Sequence, residues 1–344
     1  MEKNLLKNGK IISPDKLKLN LKLKVGIIGS GKISLEYIKV IKSFNHKIEY
    51  LFSLSNNKNI FTLAKKNNSK VLNSFSDIRK VKDVDLWIVC TSWNKMRDIF
   101  LKLSNFSKPI LFEKSIIIDS KELKKIKLSK NYYNIKKYFN FAYNRNYYDY
   151  ILILRSILNK DKLVFGSSYF FDPYNSLQKN KKINHKDLPV YITSHWVSFL
   201  LKIFKLGNYK IKKQQFITLD KNKNFKKIIF ILEKNKALIN FELFNFPNLA
   251  NNHEINLYLT NLVVKISPIE KMVVSKDIFK KKIKGQNTYK LKQDEYQVCQ
   301  KFKPGFRLQY YDFIRNKILN QKSLLSTDID DLIVIYKICD FLKK

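Results

Sequence analysis

At 344 residues, with 45% hydrophobic and 14% aromatic residues, the chain has enough apolar surface for two compact domains, which excludes a globally disordered polypeptide. No apolar run of about 18 residues is free of charge, and the N-terminal stretch carries lysines without an apolar h-region, so neither a membrane span nor a signal peptide is expected. The net charge of +39 does not by itself call for nucleic acid: 61 of the 67 basic residues are lysine, scattered along the chain, and only six are arginine, the bidentate reader of phosphate.

The three cysteines (Cys90, Cys299, Cys339) lie far apart, and none of the four histidines falls at zinc-ligand spacing from another. That pattern suits a reducing, cytoplasmic setting and no metal site.

In chain order, residues 1–21 read as an N-terminal extension. An apolar run over residues 23–28 predicts a buried strand. Only eight glycines occur in the chain, and three of them, Gly26, Gly29 and Gly31, fall within six residues at the end of that run. Ile33, Tyr37, Val40, Ile41 and Phe44 follow at helical spacing, and a second strand is expected over 48–54. Strand, glycine turn, helix and strand within some 30 residues is a βαβ unit.

The alternation continues with a helix at 61–67, strands near 71 and over 84–90, a helix over 94–103, a strand over 109–113, a helix near 120–129 and a strand over 137–143. This predicts an α/β chain with an N-terminal doubly wound parallel sheet over residues 22–143. A helix over 147–158 opens a second domain, residues 144–344. Short strands then recur at 163–171, 209–219, 226–233, 236–246, 254–266, 271–279 and 283–291, with one helix near 194–205, which predicts a large, mostly antiparallel open sheet. Pro304-Gly305 precedes a helix over 306–319, and Ser326 or Thr327 is expected to cap a terminal helix over 328–342.

Gly29-Ser30-Gly31-Lys32-Ile33-Ser34 follows G-x-G-x-x-G with serine at the last glycine. In such a turn the first glycine permits the tight bend, the second lets the backbone approach a pyrophosphate, and the helix N-terminus offers N–H donors to the anion. Gly29, Ser30, Gly31, Lys32 and Ile33 are therefore expected to hold a dinucleotide, NAD or NADP. The acid that would bind the ribose 2′-hydroxyl of NAD is not at the end of the second strand, where Ser53-Leu54-Ser55 stands, and Glu49 lies at that strand's start. Lys58 could face a 2′-phosphate or be one lysine among many, so the choice between the cofactors stays open.

Four segments together resemble the Gfo/Idh/MocA oxidoreductases, the glucose-fructose oxidoreductase and inositol dehydrogenase family: residues 24–33 with the glycine turn, Pro109-Ile110-Leu111-Phe112-Glu113-Lys114-Ser115, Tyr143-Asn144-Arg145, and Ser194-His195-Trp196. The likeness runs from about residue 22 to the C-terminus, and Glu113-Lys114 keeps two positions of the family's Glu-Lys-Pro. It implies a Rossmann domain joined to an α/β domain whose sheet forms a homo-oligomer contact.

The resemblance also implies a sugar, nucleotide-sugar or cyclitol substrate, with surface-polysaccharide synthesis as one setting and neither nucleic acid nor membrane as partner. Ser53, Thr91, Glu113 and Lys114 would join the dinucleotide site. Lys114 would stand at the reacting hydroxyl, His195 would act as acid or base, and Asn144 and Arg145 would lie at the substrate.

Departures accompany it. Tyr191 takes the place of the family's aspartate, Thr193 that of its glycine, and Thr91-Ser92-Trp93 that of Thr-Pro-Asn, with Met96 where many members have histidine. Tyr191 is either a packing residue or a third catalytic group that relays the proton. Loss of the aspartate keeps open a catalytically inactive dinucleotide-binding sensor or scaffold.

Overall fold

The structure, a computed structural model, describes residues 6–7, 10–11, 16–54, 59–114, 116, 118–174, 177, 179, 183–204, 209–220, 223–232, 237–244, 252–283, 286–323 and 325–342. Lys58 and Ser115 lie outside them. Two compact units form. The first comprises Met1–Tyr148, Pro189–Phe199 and Cys299–Lys344; the second comprises Asp149–Leu188 and Leu200–Val298.

In the expected N-terminal extension, β1 (Leu6–Lys7) and β2 (Lys10–Ile11) pair antiparallel. The core of the first unit is a six-stranded sheet of β3 (Lys24–Ile28), β4 (Lys47–Phe52), β5 (Lys70–Val71), β6 (Leu86–Val89), β7 (Ile110–Glu113) and β8 (Phe139–Ala142). The strand order is β5-β4-β3-β6-β7-β8 and every pairing is parallel. Continuous apolar runs make these strands: Leu86, Trp87, Ile88 and Val89 are all buried, as a sheet covered on both faces requires. Gly26 serves this packing, because a Cβ there would stand 2.3 Å from the Trp87 ring.

The connecting helices are α1 (Lys32–Ser43), α2 (Asn59–Asn67), α3 (Phe75–Lys80), α4 (Trp93–Leu103), α5 (Ser120–Lys127) and α6 (Tyr132–Tyr138). Helices α3 and α6 were not expected. Each is too short to show a helical period, although Ser74 and Asp77 form a capping box at the start of α3. A 3₁₀ turn, Asn144–Tyr147, follows β8 where a single helix was expected, and the helix proper is α7 (Ile151–Lys160) in the second unit.

The second unit carries an eight-stranded sheet: β9 (Leu163–Phe171), β10 (Tyr209–Asp220), β11 (Lys223–Leu232), β12 (Ala237–Phe244), β13 (Glu254–Leu259), β14 (Leu262–Ile266), β15 (Lys271–Ile283) and β16 (Gln286–Gln297). The order is β10-β11-β12-β9-β13-β14-β15-β16. The β9–β12 pairing is parallel and the others are antiparallel. Alternation sets its buried face, with Ile239, Phe241 and Leu243 on β12, Ile255 and Leu257 on β13, and Val264 and Ile266 on β14. The segment 254–266 is a hairpin rather than one strand: Thr260 and Asn261 bond back to Lys162 and Asp161 and turn the chain.

A boundary at residues 143 and 144 assigns the C-terminal helices to the second domain, but packing puts them in the first unit. In α9 (Phe306–Lys317), Phe306 meets Tyr37 of α1 at 4.8 Å between ring centroids, and the Arg307 guanidinium lies 4.2 Å over Phe44. In α10 (Ile329–Phe341), the Tyr336 hydroxyl donates to Ile116 O at 2.6 Å. Asp328 caps α10, accepting from the Asp330 and Asp331 amides, in place of the expected Ser326 or Thr327. The first unit also holds a π-helical turn, Pro189–Thr193, and the start of α8 (Ser194–Phe204).

Candidate active site

The glycine turn lies at the switch point of the six-stranded sheet, where β3 has β4 on one side and β6 on the other. Gly29 has φ +129°, and a Cβ there would stand 2.4 Å from Cys90 O, so both conformation and close approach demand glycine. Its amide donates to Phe52 O at 2.8 Å, and the Cys90 amide donates to Ile28 O at 2.8 Å, which ties the ends of β3, β4 and β6 together. Gly31 meets the opposite condition: a Cβ there would have no atom within 4 Å. Ser34, at the third glycine's place, is fully buried and accepts from the Cys90 thiol at 3.4 Å, so a small residue meets the packing need.

A cleft of about 440 Å³ opens above this turn, lined by Gly29, Ser30, Gly31, Lys32, Ile33, Ser53, Leu54, Cys90, Thr91, Ser92 and Lys95. Seven of the residues expected at the dinucleotide therefore share one cavity. The Ser30 and Ser53 hydroxyl oxygens are 3.2 Å apart at its edge. Gly31 is the N-cap of α1 and brings no side-chain acceptor, and the first turn has no acidic residue, so the helix end offers its donors and dipole to an anion. Space beside Gly31, uncapped amides and two lysines on the lining fit the pyrophosphate of a dinucleotide.

Glu113 and Lys114 are not among the residues that line this cleft; Glu113 ends β7, Lys114 follows it, and Glu113 is anchored. The Tyr37 hydroxyl donates to Glu113 Oε1 at 3.2 Å and lies 3.1 Å from the Gln309 carboxamide, and the Lys114 amide donates to Glu113 Oε2 at 3.0 Å. Burial holds the Glu113 carboxyl above the usual carboxylate range, with Lys303 and Lys114 pulling the other way.

The structure brings Lys114 to Tyr191: its Nζ donates to Tyr191 O at 2.5 Å and stands 5.1 Å over the Tyr191 ring. Trp93 meets the same ring edge-on at 6.2 Å. His195, in the first turn of α8, is 8% exposed and packs edge-on against Tyr143 at 5.7 Å. Its Nδ1 is buried and has no hydrogen-bond partner among the described residues. Burial first, and then Lys114, Arg145 and Lys303, push its imidazole well below the ordinary value of 6.5. The Arg145 guanidinium lies 3.6 Å over Trp196. Asn144 Nδ2 donates to Pro304 O at 3.0 Å, so this side chain braces the turn that carries Arg145.

Lys303, Tyr37 and Trp93 were missed as site residues. The signal for Lys303 was Pro304-Gly305 in a glycine-poor chain, read only as punctuation before α9. Among the described residues, no group of three His, Cys, Asp or Glu side chains could hold a metal ion, and no helix is long and apolar enough to cross a membrane.

The fold and cleft define a dinucleotide-binding Rossmann protein. Residues 23–131 match the family model described as oxidoreductase family, NAD-binding Rossmann fold. No curated protein sequence matches the chain.

Solved structures share its architecture. A dehydrogenase from Chromobacterium violaceum aligns with TM-score 0.73 at 11% identity over 93% of this chain and 94% of its own. UDP-N-acetylglucosamine 3-dehydrogenase from Acidithiobacillus ferrooxidans aligns with TM-score 0.69 at 10% identity over 93% and 96%. Levoglucosan dehydrogenase in complex with NADH aligns with TM-score 0.69 at 12% identity over 93% and 96%. At these identities the likeness establishes the fold.

Proposed function

We propose that the chain is an NAD(P)-dependent oxidoreductase that moves a hydride between nicotinamide and a carbinol carbon of a sugar, nucleotide-sugar or cyclitol. The observation that carries the reading is that one unit holds both the glycine-turn cleft and a Lys114–Tyr191–His195 cluster. The relatives in the fold support it: one acts on a UDP-amino sugar and one was solved with NADH.

Gly29 to Ile33 would hold the pyrophosphate, with Ser53 and Thr91 on the same lining and Glu113 behind Lys114. The bound nicotinamide supplies the hydride acceptor or donor. The Lys114 ammonium stabilises negative charge developing on the substrate oxygen, and neutral His195 takes the hydroxyl proton in the oxidative direction and returns it in the reductive one. Tyr191 is the platform for Lys114 in this scheme, and Asn144 and Arg145 border the substrate. The eight-stranded sheet is the contact of a homo-oligomer.

A second reading has one observation in its favour: His195 Nδ1 has no hydrogen-bond partner among the described residues to orient the ring, as a protein that binds dinucleotide without turnover would tolerate. Nicotinamide absorbance followed over a panel of sugars, nucleotide-sugars and cyclitols separates the two. Turnover on at least one member is expected; tight cofactor binding with no absorbance change across the panel favours the sensor.

A further inference from the structure

The chain has three tryptophans, and two of them are fully buried, Trp87 in β6 and Trp196 in α8. Trp93, the first residue of α4, is only half-buried. Ser92 before it and Lys95 after it line the dinucleotide cleft, and Trp93 is not among the lining residues; its indole meets the Tyr191 ring edge-on at 6.2 Å instead. The same Tyr191 ring lies under the Lys114 ammonium, 5.1 Å from ring centroid to Nζ, and the Tyr191 carbonyl accepts from Lys114 Nζ at 2.5 Å. One tyrosine thus touches both the ammonium proposed at the reacting oxygen and a partly open indole. All three residues belong to the first unit.

A half-exposed tryptophan presents a large apolar ring and a polar N–H to water, and the Trp93 N–H has no hydrogen-bond partner among the described residues. An edge-on contact with Tyr191 occupies at most one face of the indole. A sugar or cyclitol ring complements what is left. Its C–H groups carry slight positive charge and pack on the negative π face, while its hydroxyls accept from the N–H. A ring seated there would offer one of its hydroxyls to Lys114, and which one depends on how the ring lies on the indole.

We propose that Trp93 seats the substrate: the indole packs against the C–H face of the sugar or cyclitol ring and so sets which carbinol carbon is presented to Lys114 and the nicotinamide. The proposal rests on the oxidoreductase reading above and deepens it at the same site. Trp93 becomes a specificity-determining residue, with a role in binding and none in proton transfer.

Because Trp87 and Trp196 are buried, Trp93 supplies the emission that a small neutral quencher reaches. The test is acrylamide quenching of the NAD⁺-saturated protein with D-glucose, myo-inositol and UDP-N-acetylglucosamine as added probes. At least one probe should lower the quenching slope, and Trp93→Phe should remove that protection from the emission. For a probe that protects, Trp93→Ala should weaken its calorimetric affinity about tenfold, Trp93→Phe should keep most of it, and NADH affinity should stay within about threefold in both. Trp93 is half-buried at the end of a helix, so both variants should fold, as their melting temperatures will report. Protection by none of the three probes, whether or not NAD⁺ alone shields the indole, or probe affinity unchanged in Trp93→Ala, overturns the proposal and leaves the oxidoreductase reading standing. Absence of turnover across the absorbance panel removes that reading, and with it the substrate that Trp93 would seat.

Discussion

At neutral pH the His195 imidazole is uncharged, because burial removes the water that would solvate its cation and Lys114, Arg145 and Lys303 oppose a further positive charge. A neutral ring is the form that accepts a proton. The acid limb of kcat/KM for substrate oxidation should therefore fall below pH 6.5, and a limb at or above 6.5 would show that the ring is not held neutral. The same depressed pKa makes His195 a source of acid lability: its contribution to stability is complete above about 6.5, its unfolded value, and is lost as pH falls from there toward the folded value. Lys114→Ala and His195→Ala should each reduce turnover by about 10²–10⁴ while leaving dinucleotide affinity nearly intact, since both act on the substrate oxygen in the transition state. Steady-state kinetics beside calorimetry check this, and full activity of His195→Ala across pH would make the residue structural. Tyr191→Phe keeps the ring and carbonyl that hold Lys114 and should stay active; a large loss would assign the hydroxyl to proton transfer.

Two turns set the geometry at the level of elements, and both depend on glycine. The turn between β3 and α1 brings three strand ends together around Gly29, and Gly305 brings the 303–305 segment against Asn144. Gly305→Ala combines a positive φ with a Cβ that collides with backbone, so a loss of more than about 2 kcal/mol is expected in urea unfolding. An unchanged midpoint would mean that the 303–305 segment is not held against Asn144.

The first turn was legible in the sequence because three of eight glycines stand between an apolar run and a helical period. The second was not, since a Pro-Gly pair marks a turn without saying what the turn approaches; Lys303 went unseen for that reason. Short helices such as α3 and α6 have too few residues for a period, and the parallel pairing of β9 with β12 leaves no trace in alternation, which has the same period in either direction. The Lys114–Tyr191 contact, spanning 77 positions, was reachable only through the family resemblance, and it took the structure to show that the ring carries the ammonium.

For the molecule as a whole, the charge of +39 is spread over lysines on every segment, and the cleft uses only two of them. Such a distribution should give weak binding to random duplex DNA that vanishes by about 0.2 M salt through counterion release. Sequence-selective binding that survives that salt, measured by fluorescence anisotropy, would make nucleic acid a genuine partner.

Every role proposed for the site requires a dinucleotide across the Gly29–Ile33 turn. Open space beside Gly31 makes a direct measurement possible, because a Cβ placed there has no atom beyond its chain neighbours within 4 Å, and a branched side chain would enter the cleft where the pyrophosphate is proposed to lie. Calorimetric titration of NADH and NADPH into the wild type and Gly31→Val is that measurement. Binding by the wild type and a loss of about a hundredfold or more in a variant with unchanged melting temperature is the expected result; equal affinity in the folded variant would contradict it.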